Sequence, residues 1–440
     1  MKIDQPPVFI IFGVSGDLSK RKLLPALYDL LDSGILPEET KIYGTSRREL
    51  QIDDVLSSVD IQAFSDNKVD EDDARAKFKQ FLSFVQVDPD KDEDYQKLSS
   101  LLDQLDSDQK RLRLYYMSIP SSAYEPIIKK LAEHHMNDDR SRLMIEKPFG
   151  HDLKSAIQSI EVAHEAFPEN QIYRIDHYLA KDMSQNLINF RANNSIYGDL
   201  WNNLSIESVE ITQHETLGVE GRADFYEQTG ALRDVVQNHL MQLLAITMMD
   251  QTNHMTSDNL HKAKLEFFEG LDEADPSLSV RKQYKKYKEE VGNPKSEVET
   301  FAKVILTSHQ DKWKGIKFIL EHGKSMPKSF ASVTVNFKQH DNHDKQQLIF
   351  EIQPDEKILE VLEVKVPGLE NETKSSEMSI DFKKSFPDNK SYDAYAKVMV
   401  DSIVGDQSLF ASDDEVTTTW KVMQPILDDW QNHTVELEKY

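Results

Sequence analysis

The chain has 440 residues, 77 acidic and 52 basic, for a formal net charge of −25, a balance that argues against nonspecific nucleic-acid binding and adhesion to anionic membranes, both of which need basic surface. It contains no cysteine, so disulfide frameworks, thiolate metal sites and cysteine nucleophiles are excluded together. A 39% hydrophobic content can bury a sizeable core, and the length suggests roughly two to three domains' worth.

The first 180 residues alternate short apolar runs with longer helical patterns. Strands are expected at Val8–Phe12, Lys41–Thr45, Leu112–Ser118, Arg142–Glu146 and Gln171–Asp176. The run Val8–Val14 is too short to span a bilayer and lacks the basic lead-in and cleavage site of a secretory signal, so a soluble cytoplasmic protein is the expectation. After the first strand, Gly13-Val-Ser15-Gly16-Asp17-Leu18 leads into Leu23, Leu24, Leu27, Leu30 and Leu31 at helical spacing, with Pro25 expected to bend or loosen the helix. Two glycines three apart mark either an ordinary strand-to-helix turn or a turn whose backbone N–H groups receive phosphate. Lys20, Arg21 and Lys22 favour the second.

Gly44-Thr-Ser-Arg47-Arg48 ends the second strand, where dinucleotide folds meet the adenosine ribose. Arginines there without a preceding acid suit a 2′-phosphate, and so NADP rather than NAD; the other reading is plain surface charge. Residues 51–110 then carry a net charge of −9, and 401–440 carry −7, whereas 1–50 are neutral. Acidic runs such as Asp70–Asp73 and Asp88–Asp94 read as solvated helix starts and loops. Glu146-Lys147-Pro148 ends the fourth strand, at the carboxyl edge where open sheets bind ligands. Next comes Arg174-Ile-Asp176-His177-Tyr178-Leu-Ala-Lys181. Its imidazole, phenol and ammonium donors suit a phosphoryl group. Asp176 cannot bind an anion, but a carboxylate can orient a histidine and stabilise its imidazolium. A purely structural polar cluster is the alternative.

Beyond residue 200 the texture changes to period-two alternation at Val209–Glu215, Thr300–Leu306, Ile316–Leu320, Ser332–Phe337, Leu348–Ile352 and Leu359–Val366. This predicts a large antiparallel sheet with one buried face. The exception is a strong helix over Gly230–Met249, and the chain is expected to close helically over 390–431. Inside the first of these lies Arg233-Asp234-Val-Val-Gln237-Asn238-His239. Asp234 and His239 would lie about 140° apart on an α-helix, flanking a ligand. A lone helical histidine reads otherwise as a core residue; as a base it would draw its carboxylate from elsewhere, with Asp176 the candidate. The fold class is thus α/β followed by α+β: an amino-terminal Rossmann-like parallel-sheet domain, then a larger domain with a big, mainly antiparallel sheet. No metal-ligand spacing is convincing.

Taken together, these segments resemble the glucose-6-phosphate dehydrogenase family, and the match covers most of the chain. Arg174–Leu179 is similar to the family signature, and Arg233–His239 strengthens it. The resemblance implies an NADP-binding domain over 1–180 and a substrate and dimerisation domain over 181–440. It implies oxidation of glucose 6-phosphate to 6-phosphogluconolactone, the opening step of the oxidative pentose phosphate pathway, with the C1 hydride passing to NADP. By the same resemblance His239 looks like the general base and Asp176 like its carboxylate. His177, Tyr178 and Lys181 look like the phosphate binders, and Glu215 and Asp234 like acceptors for sugar hydroxyls. Lys324 falls on a substrate-contacting position, while Lys22 and Lys147 look like the pair aligning sugar and cofactor. Gly13, Ser15, Gly16, Asp17 and Leu18, with Arg47 and Lys147, fall on cofactor positions. No metal is implied; a homodimer or higher homo-oligomer is.

The chain departs from the family pattern at Ala180, where glycine is usual, at Ser329, where a basic residue is usual with Lys328 one place early, and at Glu321. It also ends soon after Trp430, short of the family's usual extension. Two other hypotheses are a dehydrogenase for a different sugar and a catalytically weakened paralogue with a binding or regulatory role. The phosphate donors speak against the first, and the retained Asp176, His239, Lys147 and Lys181 against the second.

Overall fold

The computed structural model describes residues 2–65, 69–107, 109–251, 254–339, 346–432 and 435–440. They form two units, one of Met1–Gly150, Lys154–Ala180 and Ser391–Asp413, the other of His151–Leu153, Lys181–Lys390 and Asp414–Tyr440. A division of the sequence at residue 180 does not anticipate the return of 391–413 to the first unit.

The first unit is built on β1 (Val8–Phe12), β2 (Lys41–Ser46), β3 (Leu82–Gln86), β4 (Arg113–Met117), β5 (Ser141–Glu146) and β6 (Ile172–Ile175). These pair parallel in the order β6-β5-β4-β1-β2-β3, and Phe410–Ala411 adds antiparallel to β6. All of β1 is buried because helices cover both faces of the sheet. Phe9 and Ile11 point into one core with Leu24, Leu27 and Leu30, while Val8, Ile10 and Phe12 point into the other with Leu98, Ile127 and Leu131. Tyr395, Val398 and Met399 of the returning helix Ala394–Val404 complete the first core. The strand order reverses between β1 and β4, which opens a crevice at their carboxyl ends. Pro25 does not disturb the helix Leu24–Asp32, since it occupies the first turn, where no N–H is needed.

The second unit holds β7 (Ile206–His214), β8 (Ser279–Gln283), β9 (Phe301–Leu306), β10 (Lys317–Gly323), β11 (Phe330–Phe337), β12 (Gln347–Gln353), β13 (Lys357–Lys365) and β14 (Thr373–Asp381). The order is β14-β13-β12-β11-β7-β10-β9-β8, extended by Leu437–Lys439. Pairing is antiparallel except where β7 meets β10 and where the segment Leu437–Lys439 meets β8. In β11 the buried Ala331, Val333 and Val335 alternate with the partly exposed Phe330, Ser332 and Thr334, as one buried face demands.

The helix expected over Gly230–Met249 does not begin at Gly230, whose φ of 65° breaks it from Ala223–Ala231. The chain continues as a π-type turn over Leu232–Leu240 and as α-helix over Met241–Met248. Among the described residues no helix is long and apolar enough to cross a membrane.

Candidate active site

In the first unit, the expected cofactor segments lie at carboxyl ends of neighbouring strands. Gly13 leaves β1 with a φ of 85°, and a Cβ there would fall 2.4 Å from the Ser118 carbonyl oxygen. Only glycine permits that approach of two backbones. Ser19 Oγ ties the turn together, donating to the Gly13 carbonyl at 3.1 Å and bonding Ser118 Oγ at 2.9 Å. Ser15 and Leu18 lie on the same turn, but Asp17 is spent on a surface ion pair with Arg21 at 2.8 Å. Lys22 Nζ stands 3.5 Å from Asp393 Oδ2 and 4.9 Å from the Phe64 ring centre. Arg47 and Arg48 are exposed just past β2; the Arg47 carbonyl accepts from Gln86 Nε2 and the Arg48 N–H donates to Ser46 Oγ. Both residues are exposed to solvent.

At the end of β5, Glu146 precedes Lys147 and is buried against Tyr116, whose hydroxyl donates to Glu146 Oε1 at 2.5 Å. Tyr124 donates to the Glu146 carbonyl at 3.1 Å. Burial pushes the Glu146 carboxyl up to about 7; the nearby Asp176 charge adds to this, and Tyr116 and Lys147 oppose it. At the end of β6, buried Asp176 accepts the Tyr178 N–H at Oδ1 (2.9 Å), so the loop's own turn orients the carboxylate. His177 stacks on Tyr395, with centroids 6.0 Å apart and planes 17° apart, so the returning segment 391–413 supports this loop.

In the second unit, Lys181 Nζ bonds the Gln353 side-chain oxygen on β12. The π-type turn revises the expected placement of Asp234 and His239. Such turns close i→i+5, which brings residues five apart to nearly the same side rather than 140° apart. Both side chains are buried. Glu299 accepts the Leu232 N–H at 2.9 Å and occupies the space a Cβ on Gly230 would need. Past the end of β7, Glu215 pairs with Lys324 and accepts Gln213 Nε2 at 2.9 Å. Burial alone would raise the Glu215 carboxyl; Lys324 and His322 overcome it and hold it below the usual range, so it is an ionised acceptor. Lys324 Nζ also lies 5.4 Å from the Tyr226 ring centre.

His322 was not apparent from the sequence. It is fully buried with Nδ1 2.9 Å from the Gln213 carbonyl, and burial, reinforced by Lys324, lowers it to about 4. It is therefore a neutral ring, and its Nε2 meets no partner among the described residues. Its neighbour in the His322-Gly-Lys324 run was the only available signal. The atypical positions are accommodated locally. Ala180 is fully buried in the first core, Ser329 Oγ accepts the Thr216 N–H at 2.8 Å, and Glu321 pairs with His214 at 2.9 Å and Lys303 at 3.2 Å.

Known proteins resemble this chain over nearly its whole length. Residues 10–186 match the model of the glucose-6-phosphate dehydrogenase NAD binding domain, and 188–440 that of its C-terminal domain. The chain is 34% identical to glucose-6-phosphate 1-dehydrogenase of Buchnera aphidicola subsp. Schizaphis graminum, covering 98% of this chain and 93% of the relative. It is 33% identical to that of Schizosaccharomyces pombe, over 97% and 89%, and 31% identical to a cytoplasmic form of Arabidopsis thaliana, over 95% and 85%. A solved glucose-6-phosphate dehydrogenase in complex with its substrate glucose 6-phosphate superposes with a TM-score of 0.93 at 29% identity, covering 100% of this chain and 95% of the other. The enzyme of Mycobacterium avium gives 0.85 at 28%, over 99% and 94%. With both domains matched in order and identity above 30% over nearly its whole length, the chain belongs to the glucose-6-phosphate dehydrogenase family.

Proposed function

We propose that this chain oxidises glucose 6-phosphate at C1 to 6-phosphogluconolactone with NADP, as the opening step of the oxidative pentose phosphate pathway. The observation that carries this reading is the match of both family domains by a chain that keeps Lys147, Asp176, His177, Tyr178, Lys181 and His239. The first unit binds the cofactor. Its residues fit one: the glycine-opened turn of Gly13, Ser15 and Gly16 would receive the pyrophosphate on backbone N–H groups, and the exposed Arg47 would face a 2′-phosphate. A bound nicotinamide supplies the acceptor for the C1 hydride.

The chain's own residues do the rest. His239 takes the proton of the C1 hydroxyl, and Asp176 is assigned the carboxylate role that stabilises the resulting charge. His177, Tyr178 and Lys181 hold the phosphate with three kinds of donor. Glu215, Asp234 and Lys324 hold the sugar, with ionised Glu215 an acceptor for a hydroxyl. Lys22 and Lys147 fix the two reactants in line, which converts a bimolecular encounter into an oriented one. Location in the cytoplasm follows the naming of the Arabidopsis relative. A homodimer through the large sheet accords with the exposed apolar Val364, Met378 and Ile380 on β13 and β14.

The test is NADP-dependent oxidation of glucose 6-phosphate by the purified chain, with the lactone identified as product. Turnover supports the reading; a folded protein that yields no reduced cofactor overturns it. For the cofactor, Arg47→Ala should weaken NADP by about 10- to 100-fold, the worth of one charge-assisted bond, and leave NAD nearly unchanged. Equal weakening would remove Arg47 from contact with the 2′-phosphate.

A further inference from the structure

The turn that carries Lys324 is held in an unfavourable backbone form. Ser325 has a φ of 54°, left-handed for a residue that has a Cβ, and such conformations persist only where the surroundings over-determine them. Three of the constraints come from the unit's own strands and loops. The Lys324 N–H donates to the Thr300 carbonyl at 2.9 Å, Ser325 N–H to Leu217 at 2.9 Å, and Met326 N–H to Glu215 at 2.9 Å. The fourth comes from the segment that pairs alongside β8. Tyr440 follows Leu437–Lys439, and its hydroxyl donates to the Lys324 carbonyl at 2.5 Å, with the Thr300 carbonyl at 3.2 Å and Thr300 Oγ1 at 3.1 Å.

Tyr440 is well placed for this. Its own N–H donates to the Gln283 carbonyl at 3.3 Å, and its carbonyl accepts from Lys285 at 3.1 Å. Its ring lies against Phe301 and Tyr284, with centres 6.0 and 6.4 Å away. Burial pushes its hydroxyl up to about 12, so it is a donor at any working pH. The side chain of Lys324 is fixed by Glu215 and the Tyr226 ring; its peptide is fixed by Tyr440.

We propose that Tyr440 is a positioning residue for substrate: its hydroxyl, by locking the Lys324 peptide against the strained Ser325, sets the affinity for glucose 6-phosphate without touching it. The proposal rests on the reading that Lys324 contacts the sugar of glucose 6-phosphate.

The test compares Tyr440→Phe, Lys324→Gln and the double variant in steady-state kinetics, with circular dichroism as a check on folding. Tyr440→Phe keeps the ring and should raise KM for glucose 6-phosphate by about three- to tenfold, as loss of one buried hydrogen bond would. Its kcat and its KM for NADP should stay within about twofold. In the Lys324→Gln background the same change should add little, because both act through one group. An unchanged KM in Tyr440→Phe beside a raised KM in Lys324→Gln overturns the proposal. So do strictly additive effects, or a uniform loss in kcat and both KM values. If Lys324→Gln itself leaves KM unchanged, the reading of Lys324 fails instead.

Discussion

His239 is a ring almost wholly withdrawn from water, and the wide turn around it sets Asp234 on nearly the same side. The loss of a base so buried cannot be made good by bulk water. His239→Asn, which keeps the size and removes the basicity, should lower kcat by at least ~10² while the affinity for glucose 6-phosphate changes little. Near-normal turnover would take His239 out of the role. Glu146 gives a second prediction at this scale. Its carboxyl sits at about 7 in the folded chain because burial disfavours the charge. The folded state therefore binds more protons than the unfolded one between about 4.5 and 7. Stability from this group is present below that window and is lost as pH rises through it, by up to about 3 kcal/mol. His322, lowered to about 4, contributes the opposite slope over an overlapping range, so it must be left intact in the comparison. Denaturant unfolding of Glu146→Gln beside the parent at about pH 5 and about pH 8 should show the variant gaining relative stability at the higher pH. Parallel profiles would contradict the assignment. At this scale the sequence names the polar residues but not their partners. Lys181 with Gln353, Lys22 with Asp393 and Tyr440 with Lys324 each join residues more than a hundred positions apart, and no local pattern encodes such pairs.

Among the elements, the long helix Asp413–Gln431 is fastened to helix Ser257–Glu269 by charge. Glu415 and Lys264 are both fully buried and 2.8 Å apart, with His261 at 2.7 Å and Gln242 at 2.9 Å completing the carboxylate's shell. Burial alone would raise the Glu415 carboxyl; Lys264 and His261 overcome it and hold it at about 2. Lys264→Met takes the ammonium from that buried carboxylate, leaving it His261 and Gln242, and should cost about 3–5 kcal/mol, whereas the double change with Glu415→Leu should recover most of it. Denaturant titration measures both, and a loss below about 1 kcal/mol for Lys264→Met would show the pair to be dispensable. Elements with a clear period were legible: β1 and β5 lie where the apolar runs predicted, and β7, β9, β11 and β12 follow the alternation. β3 and β14 were not, since β3 buries only Leu82 and β14 is exposed along nearly its whole length. A strand with no buried face leaves no period-two signal. The π-type turn was equally hidden, because Leu232–Leu240 is buried on nearly every side and so shows no period that separates it from an α-helix.

For the whole molecule, the order of elements conveyed an α/β unit followed by a mainly antiparallel one. It could not convey that Ser391–Asp413 returns to the first. The stripe of Tyr395, Val398 and Met399 announces a buried face without naming the surface that covers it. Charge shows the same division between composition and placement. Both proposed ligands are anions, so a net charge of −25 opposes their approach. On the proposed reading, recognition comes from local donors: the turn after β1, the arginines after β2, and the loop Asp176–Lys181. In the proposed mechanism this loop reads a phosphate. Its most direct test is the ratio of kcat/KM for glucose 6-phosphate to that for glucose, with NADP, in the parent chain and in Lys181→Ala. The expected ratio is at least about 10³ in the parent, as a site built on charged donors rejects the analogue lacking their partner, and it should collapse in the variant through loss on the phosphorylated sugar alone. Equal turnover of the two sugars by the parent would contradict it.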